Sequence, residues 1–162
     1  MYQEEFYGTH YEIGYSFGEQ LFFKKRNLLQ EVPFPVTEER IRFAEGCRPS
    51  YEKWYPEVLE EIRGIAEGQR ADPKRLEAVL LGMYAIVPET RCSCLAFREG
   101  AHVILGRNSD FLTVTKEQNR NVINRLAGGF YAFQGNTRAF VEMEDGVNEQ
   151  GLGVGLTAVY PV

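Results

Sequence analysis

Residues 92–111, CSCLAFREGAHVILGRNSDF, decide the reading of this chain. Two apolar runs, residues 93–97 and 102–105, flank Arg98-Glu99-Gly100-Ala101, the pattern of a β-hairpin with a short loop. A loop centred on Glu99-Gly100 pairs Arg98 with Ala101 and, further out, sets Arg107 opposite Cys92. Directly opposed residues of antiparallel strands project to one face with Cβ atoms about 4.5–5.5 Å apart, so a guanidinium comes within reach of a thiol. A thiolate, the nucleophilic form of cysteine, is favoured beside that charge. A bulged three-residue turn would instead slip one strand and carry Arg107 to the other face.

Outward from the hairpin the chain divides near Pro88. Downstream, further strands are expected over residues 122–126, 130–134, 138–143 and 152–159, with Gly135-Asn136 as a tight hairpin turn that brings Tyr131 and Phe140 face to face. Upstream the pattern is helical. Thr9 followed by Glu12 is a capping-box signal, and Ile13, Phe17 and Leu21 then recur on one face with Gly14 and Gly18 beside them. The glycines lower helix propensity and permit close approach of another element. Val32-Pro33-Phe34-Pro35-Val36 breaks this region. Residues 37–44 form a short helical candidate closed by Gly46. Pro56 opens a helix with Leu59, Ile62, Ile65 and Ala66 as its buried stripe and Gly68 past its end. Asp72 as N-cap with Pro73 in the first turn leads to Leu76, Val79, Leu80 and Met83.

The 162 residues suit one domain with a sizeable core, and 44% hydrophobic with 13% aromatic residues place the chain among globular proteins. A net charge of -5 argues against a nucleic-acid surface, and the Lys24-Lys25-Arg26 cluster reads as a solvated helix face. No apolar run approaches the roughly 18 residues of a membrane helix. The first ten residues, MYQEEFYGTH, lack the basic and apolar regions of a signal peptide, and three cysteines do not make a disulfide framework. A soluble, cytoplasmic setting is the expectation.

The hairpin, with Cys92 followed by Gly106-Arg107-Asn108-Ser109-Asp110, resembles the choloylglycine hydrolase and penicillin V acylase group of N-terminal-nucleophile (Ntn) hydrolases, and the related isopenicillin-N acyltransferase group. Asp145-Gly146-Val147-Asn148-Glu149-Gln150-Gly151-Leu152 is similar to the DG-x-NE-x-GL segment of those enzymes. Tyr11-Glu12-Ile13-Gly14, and the stretch from Tyr55-Pro56-Glu57 to Ile65-Ala66-Glu67-Gly68, resemble the helical leader of the acyltransferase branch. Three ordered blocks are more specific than any one alone.

The resemblance implies an α+β protein: a helical leader or pro-segment over residues 1–91 packed on a core, then, over residues 92–162, antiparallel strands forming the N-terminal part of an αββα sandwich. It implies a cysteine-nucleophile amidohydrolase or acyltransferase acting on a small-molecule substrate with a linear, non-peptide amide. Cys92 is the implied nucleophile after cleavage of Arg91-Cys92, which frees its own α-amine, with a pKa of about 7.7–8.0, as general base. Arg107 holds the thiolate or orients the substrate carbonyl, a task its fixed charge suits. Asp110 holds the freed ammonium, and Asn148 contributes to the oxyanion hole. The bland readings stay beside these: Cys92 as a buried small hydrophobe, Arg107 as a strand-end charge, and Asp110, Asn148 and Asn108 as turn residues.

Cys94 shares a strand face with Cys92, but only Cys92 has the family spacing to the GRNSD block. Cys47, His10 and His102 have no metal-ligand spacing with these cysteines, so a zinc site is not expected, and the amidohydrolase reading implies no metal or organic cofactor. Ser109 stands where these families often carry an aromatic residue or methionine. The chain ends at Val162, where the family core is half built, and the later asparagine and arginine of many family sites have no counterpart. The continuous chain suggests an uncleaved, inactive precursor. A homo-oligomer joined through sheet edges, or a complementary segment supplied from elsewhere, is the expected partner. A non-catalytic Ntn-like fragment is the main alternative. A thiol redox protein using Cys92 and Cys94 is a third, weakened by the absence of Cys-x-x-Cys.

Overall fold

The computed structural model describes residues 3–83, 91–110, 113–138 and 142–157, apart from the side chains of residues 91, 114 and 115. In chain order the elements are β1 (Gln3–Gly8), α1 (His10–Phe23), α2 (Leu28–Glu31), α3 (Glu38–Trp54), α4 (Pro56–Gln69), α5 (Pro73–Gly82), β2 (Arg91–Glu99), β3 (His102–Asp110), a 3₁₀ helix (Thr113–Gln118), β4 (Arg120–Leu126), β5 (Phe133–Thr137), β6 (Met143–Asn148) and β7 (Gly153–Gly155). The protein is α+β, with helices preceding most of its strands. The expected change from helix to strand at Pro88 falls outside the described residues. No helix among them is long and apolar enough to cross a membrane.

Start signals read from the sequence operate as capping chemistry. Glu12 accepts from the Thr9 backbone N–H at 2.7 Å while Thr9 Oγ1 accepts from the Glu12 N–H at 3.3 Å, closing the capping box of α1. Asp72 caps α5 by accepting from the Arg75 N–H at 2.8 Å. Ile13, Phe17 and Leu21 of α1 are buried against Ile62 and Ile65 of α4 and Leu76 and Val79 of α5 in one core.

The glycines of α1 and α4 set how closely these helices cross. A Cβ at Gly14 would lie 2.1 Å from the Glu61 carbonyl oxygen, and one at Gly18 2.3 Å from that of Ile65. The relation is reciprocal: Gly64 meets the Tyr11 carbonyl at 2.2 Å and Gly68 that of Tyr15 at 2.3 Å. Gly68 therefore lies inside α4 and not past its end, and the helix closes at Arg70 with φ 59°. Nor does Gly46 close a short helix. The third helix runs through Gly46 and Pro49 to Trp54, held along its length to α5 by the Arg48–Glu77 and Lys74–Glu45 ion pairs.

The sheet has the order β1-β4-β5-β6-β7, with β1 parallel to β4 and the other pairs antiparallel. The first strand corrects the purely helical reading of residues 1–91. Of its six residues only Phe6 is buried, and two adjacent glutamates conceal the strand: Glu4 pairs with Arg120 and Lys24, and Glu5 with Arg125. A second correction concerns Gly135-Asn136, which lies within β5 and not in a turn. A Cβ at Gly135 would stand 2.0 Å from the Asp145 carbonyl oxygen, so this glycine permits close strand approach. Phe140, its expected partner across the turn from Tyr131, falls outside the described residues. Of the strand expected over 138–143, residues 139–141 lie outside the described residues and β6 is described from Met143; that expected over 152–159 is described as a strand only over Gly153–Gly155.

One face of the sheet, through Phe6 and Val122, packs on the helices. The other receives the separate β2–β3 hairpin, which settles on the bare backbone of β7. A Cβ at Gly155 would meet Cys94 Sγ at 2.9 Å, and one at Gly153 would meet the Leu105 side chain at 3.8 Å. The observed layering is helices, five-stranded sheet, hairpin.

Candidate active site

The hairpin closes through Gly100-Ala101, with Glu99 paired to His102. Gly100 takes φ 60°, the conformation that glycine supplies at the first central position of a two-residue hairpin loop. The turn is one residue later than expected, so every pair shifts by two: Arg107 stands opposite Cys94, and Cys92 opposite Ser109. A shift of two preserves side-chain parity. Cys92, Cys94 and Arg107 therefore share a face, and Arg107 reaches Cys92 along the diagonal, its Nη2 donating to Sγ at 3.4 Å.

Arg107 is the centre of the arrangement. Its Nε donates to the Leu156 carbonyl at 2.8 Å, and its Nη1 to Glu144 Oε2 at 2.7 Å. The other oxygen of Glu144 takes Arg138. The Arg107, Glu144 and Arg138 side chains are only 6%, 5% and 7% exposed, so three charges share a site largely closed to water. Burial works against the Arg107 charge, but the hydrogen bond and charge of Glu144, with Cys92 and Asp145, outweigh it and hold this guanidinium above its ordinary range.

Beyond Arg138 lies Glu142, a residue half-buried overall whose carboxyl is packed among protein atoms. Burial, opposed by Arg138 and reinforced by Glu144, pushes its pKa to about 8. Tyr51 of α3 is raised by burial, with the charges of Cys47 and Glu142 acting in the same sense. These groups extend the cluster from the hairpin to the helical layer. Glu144, Arg138 and Glu142 were not singled out in the sequence. The available signal was Glu142 and Glu144 two apart beside a strand, a spacing that aims both carboxylates one way and calls for a cation between them.

A cleft of about 570 Å³ separates the hairpin from the sheet. Ala96, Val103 and Leu105 line it from the hairpin; Asn121, Gln134, Asn136 and Asp145 line it from β4, β5 and β6; Arg107 belongs to the same lining. The arrangement joins a sulfur, a fixed cation beside it, and a space of small-molecule size.

The other two expected site residues are not drawn into this cluster. Asp110 is the last residue of β3, paired with Arg91, and its side chain projects to the opposite hairpin face, where Asn108 Nδ2 donates to it at 2.6 Å. Asn148 ends β6, and its Oδ1 accepts from the backbone N–H groups of Gln150 at 3.1 Å and Leu152 at 2.9 Å, fastening the turn into β7. It lines a separate apolar groove with Tyr131, Phe133, Leu152 and Val154.

All three cysteines are free thiols. His10 Nδ1 bonds Glu61 Oε2 at 2.7 Å and packs edge-on against Phe130, 5.4 Å between ring centroids. Among the described residues no three His, Cys, Asp or Glu side chains converge to hold a metal ion. No family model matches this chain, and no curated protein matches it.

Proposed function

We propose that this chain carries the nucleophilic half of a cysteine-dependent amidohydrolase or acyltransferase, acting on the linear amide of a small molecule. The observation that carries the reading is the Arg107 Nη2 to Cys92 Sγ contact at 3.4 Å, made beside a cleft that Arg107 also lines. In the reaction, Cys92 Sγ attacks the amide carbonyl carbon and forms a C–S bond. The tetrahedral intermediate then expels the amine, which leaves with a proton, and water or another acceptor breaks the thioester to release the acyl group and restore the thiol. Arg107 faces the sulfur and the incoming carbonyl.

Cleavage of Arg91-Cys92 frees the α-amine that serves as base, beside the Asp110 carboxylate, which stands opposite Arg91 on the neighbouring strand. No cofactor enters this chemistry. The free thiols fit a reducing, cytoplasmic setting. An Ntn-type sandwich, with residues 1–91 as leader and 92–162 as the first part of the core, is the architecture this reading requires.

The test is acyl release from a panel of N-acyl amides, with mass spectrometry of the same sample to detect cleavage at Arg91-Cys92. Turnover confined to samples cleaved at Arg91-Cys92, abolished in Cys92→Ser and retained in Cys94→Ser, is the expected outcome. Turnover that survives Cys92→Ser rejects the reading.

A second reading is favoured by the outer hairpin face, where Leu95, Phe97 and Ile104 are exposed together. There the chain is a non-catalytic module that a second copy or a complementary segment covers. Self-association lost in Leu95→Lys, with no amide turnover under any condition, supports it over the first.

A further inference from the structure

We infer that the cleft between the β2–β3 hairpin and the five-stranded sheet binds an amphipathic amide whose polar end carries hydrogen-bond donors, hydroxyl or amine, and not a carboxylate. The amide itself rests on the cysteine-nucleophile reading; the preference for a donor rests on the cleft wall alone.

The two walls differ in kind. The hairpin side presents Ala96, Val103 and Leu105, an apolar surface. The sheet side presents a row of linked polar groups. Gln134 Nε2 donates to Asn121 Oδ1 at 2.9 Å, Asn121 Nδ2 to Asn136 Oδ1 at 3.5 Å, and Asn136 Nδ2 to Asp145 Oδ1 at 2.8 Å, with the Asn136 backbone N–H reaching the same oxygen at 3.2 Å.

The direction of this row has a physical cause. An ionised carboxylate only accepts, so Asn136 must turn its NH₂ toward Asp145. That leaves the Asn136 oxygen for the Asn121 NH₂, and the Asn121 oxygen for the Gln134 NH₂. The row leaves two acceptors open, Gln134 Oε1 at one end and Asp145 Oδ2 at the other, neither with a hydrogen-bond partner among the described residues, together with a second N–H on each of the three amides. The wall's formal charge is the negative charge of Asp145, while Arg107, the cation in the lining, already bonds Glu144, Leu156 and Cys92. A ligand carboxylate can take the spare amide N–H groups but meets the like charge of Asp145, whereas a hydroxyl or ammonium donates to the open Asp145 oxygen without that repulsion. Apolar chain against Leu105 and donor head against Gln134 and Asp145 is the orientation both walls allow, with Arg107 leading from the cleft to the sulfur.

Binding is measured by isothermal titration calorimetry on the full chain carrying Cys92→Ser, with three matched probes: N-octanoyl-3-aminopropanol, N-octanoylbutylamine and N-octanoyl-β-alanine. The hydroxyl probe should bind about fivefold more tightly than the butyl probe, the worth of one net hydrogen bond, and the carboxylate probe more weakly than either. Gln134→Leu, at an exposed position that spares the core, should erase the hydroxyl preference, and Asp145→Asn should relieve the penalty on the carboxylate. Equal binding of the hydroxyl and butyl probes, or tightest binding of the carboxylate, overturns the inference. The expected order of binding without amide turnover by chain cleaved at Arg91-Cys92 upholds the cleft and rejects the nucleophile; turnover without the hydroxyl preference does the reverse.

Discussion

The α1–α4 crossing and the β2–β3 hairpin are held in opposite ways. In the crossing, four glycines bring backbone against backbone, and the flanking side chains are sealed in the main core. The hairpin exposes apolar side chains on both faces, Leu95 and Phe97 on one and Val103 on the other, and is tied down by one arginine and two sheet glycines. The Cys92 sulfur sits on the second of these regions. A buried crossing supplies stability without offering chemistry, whereas a lightly held hairpin offers a sulfur, a cation and a cleft while contributing little to the core. Functional groups are commonly found in such low-stability regions on a rigid base.

The contrast breaks most visibly at Gly14. Gly14→Ala should destabilise the protein by about 3 kcal/mol in urea unfolding, because the methyl group would occupy space next to the Glu61 carbonyl and the helices must part. A loss below about 1 kcal/mol would show that the crossing yields easily. Arg107→Met comes next, at about 2 kcal/mol, since Glu144 loses one of its two arginines but keeps Arg138. Amide exchange should accelerate in β2 and β3 while α1 and α4 stay protected. Uniform acceleration would mean that the hairpin belongs to the same cooperative unit as the helices.

Protonation sharpens the comparison further. Glu142 stands at about 8 when folded against an ordinary 4.5, so the folded chain binds a proton that the unfolded chain releases between those values. Stability should therefore fall as pH rises through that window, by about 1–2 kcal/mol once access of water to a half-buried residue is allowed for. Glu142→Gln should flatten most of the fall in unfolding midpoints measured from pH 5 to 8. Burial also raises Glu61, with the His10 hydrogen bond opposing it, so Glu61→Gln should remove a further part of the fall. The smallest effect is a gain. Gly46 of α3 has open space where its Cβ would be, and Gly46→Ala should add about 0.5–1 kcal/mol, the reverse in sign of the same substitution at Gly14.

What was legible in the sequence was local. The Thr9–Glu12 capping box, the Asp72-Pro73 start and the glycine stripe of α1 act over a few residues and appear as read. The hairpin was legible in its strands and in the shared face of Cys92 and Arg107, while its register depended on which dipeptide turned the chain, and Gly100-Ala101 did so in place of Glu99-Gly100. Non-local pairing was not legible. The first strand, β1, finds β4 across more than a hundred residues, and its charged residues read as surface until Arg120 and Arg125 are beside them. Glu144 is ordinary within an acidic run, and its role between two arginines exists only after β6, the hairpin and the Arg138 segment meet. Gly135 carried the most misleading signal: a glycine required by the passing of a strand has the same letter as one required by a turn.

The four glycines of the helix crossing carry one more consequence. Where a Cβ would strike a carbonyl oxygen, the glycine α-hydrogen points at it instead, giving reciprocal Cα–H···O contacts from Gly14 and Gly18 to α4 and from Gly64 and Gly68 to α1. Such contacts draw on dipoles, not on the release of water from apolar surface. Hydrophobic attraction weakens on cooling, so a chilled sample should loosen first where Leu105 and its neighbours seat the hairpin on β7, and last where the two helical backbones touch.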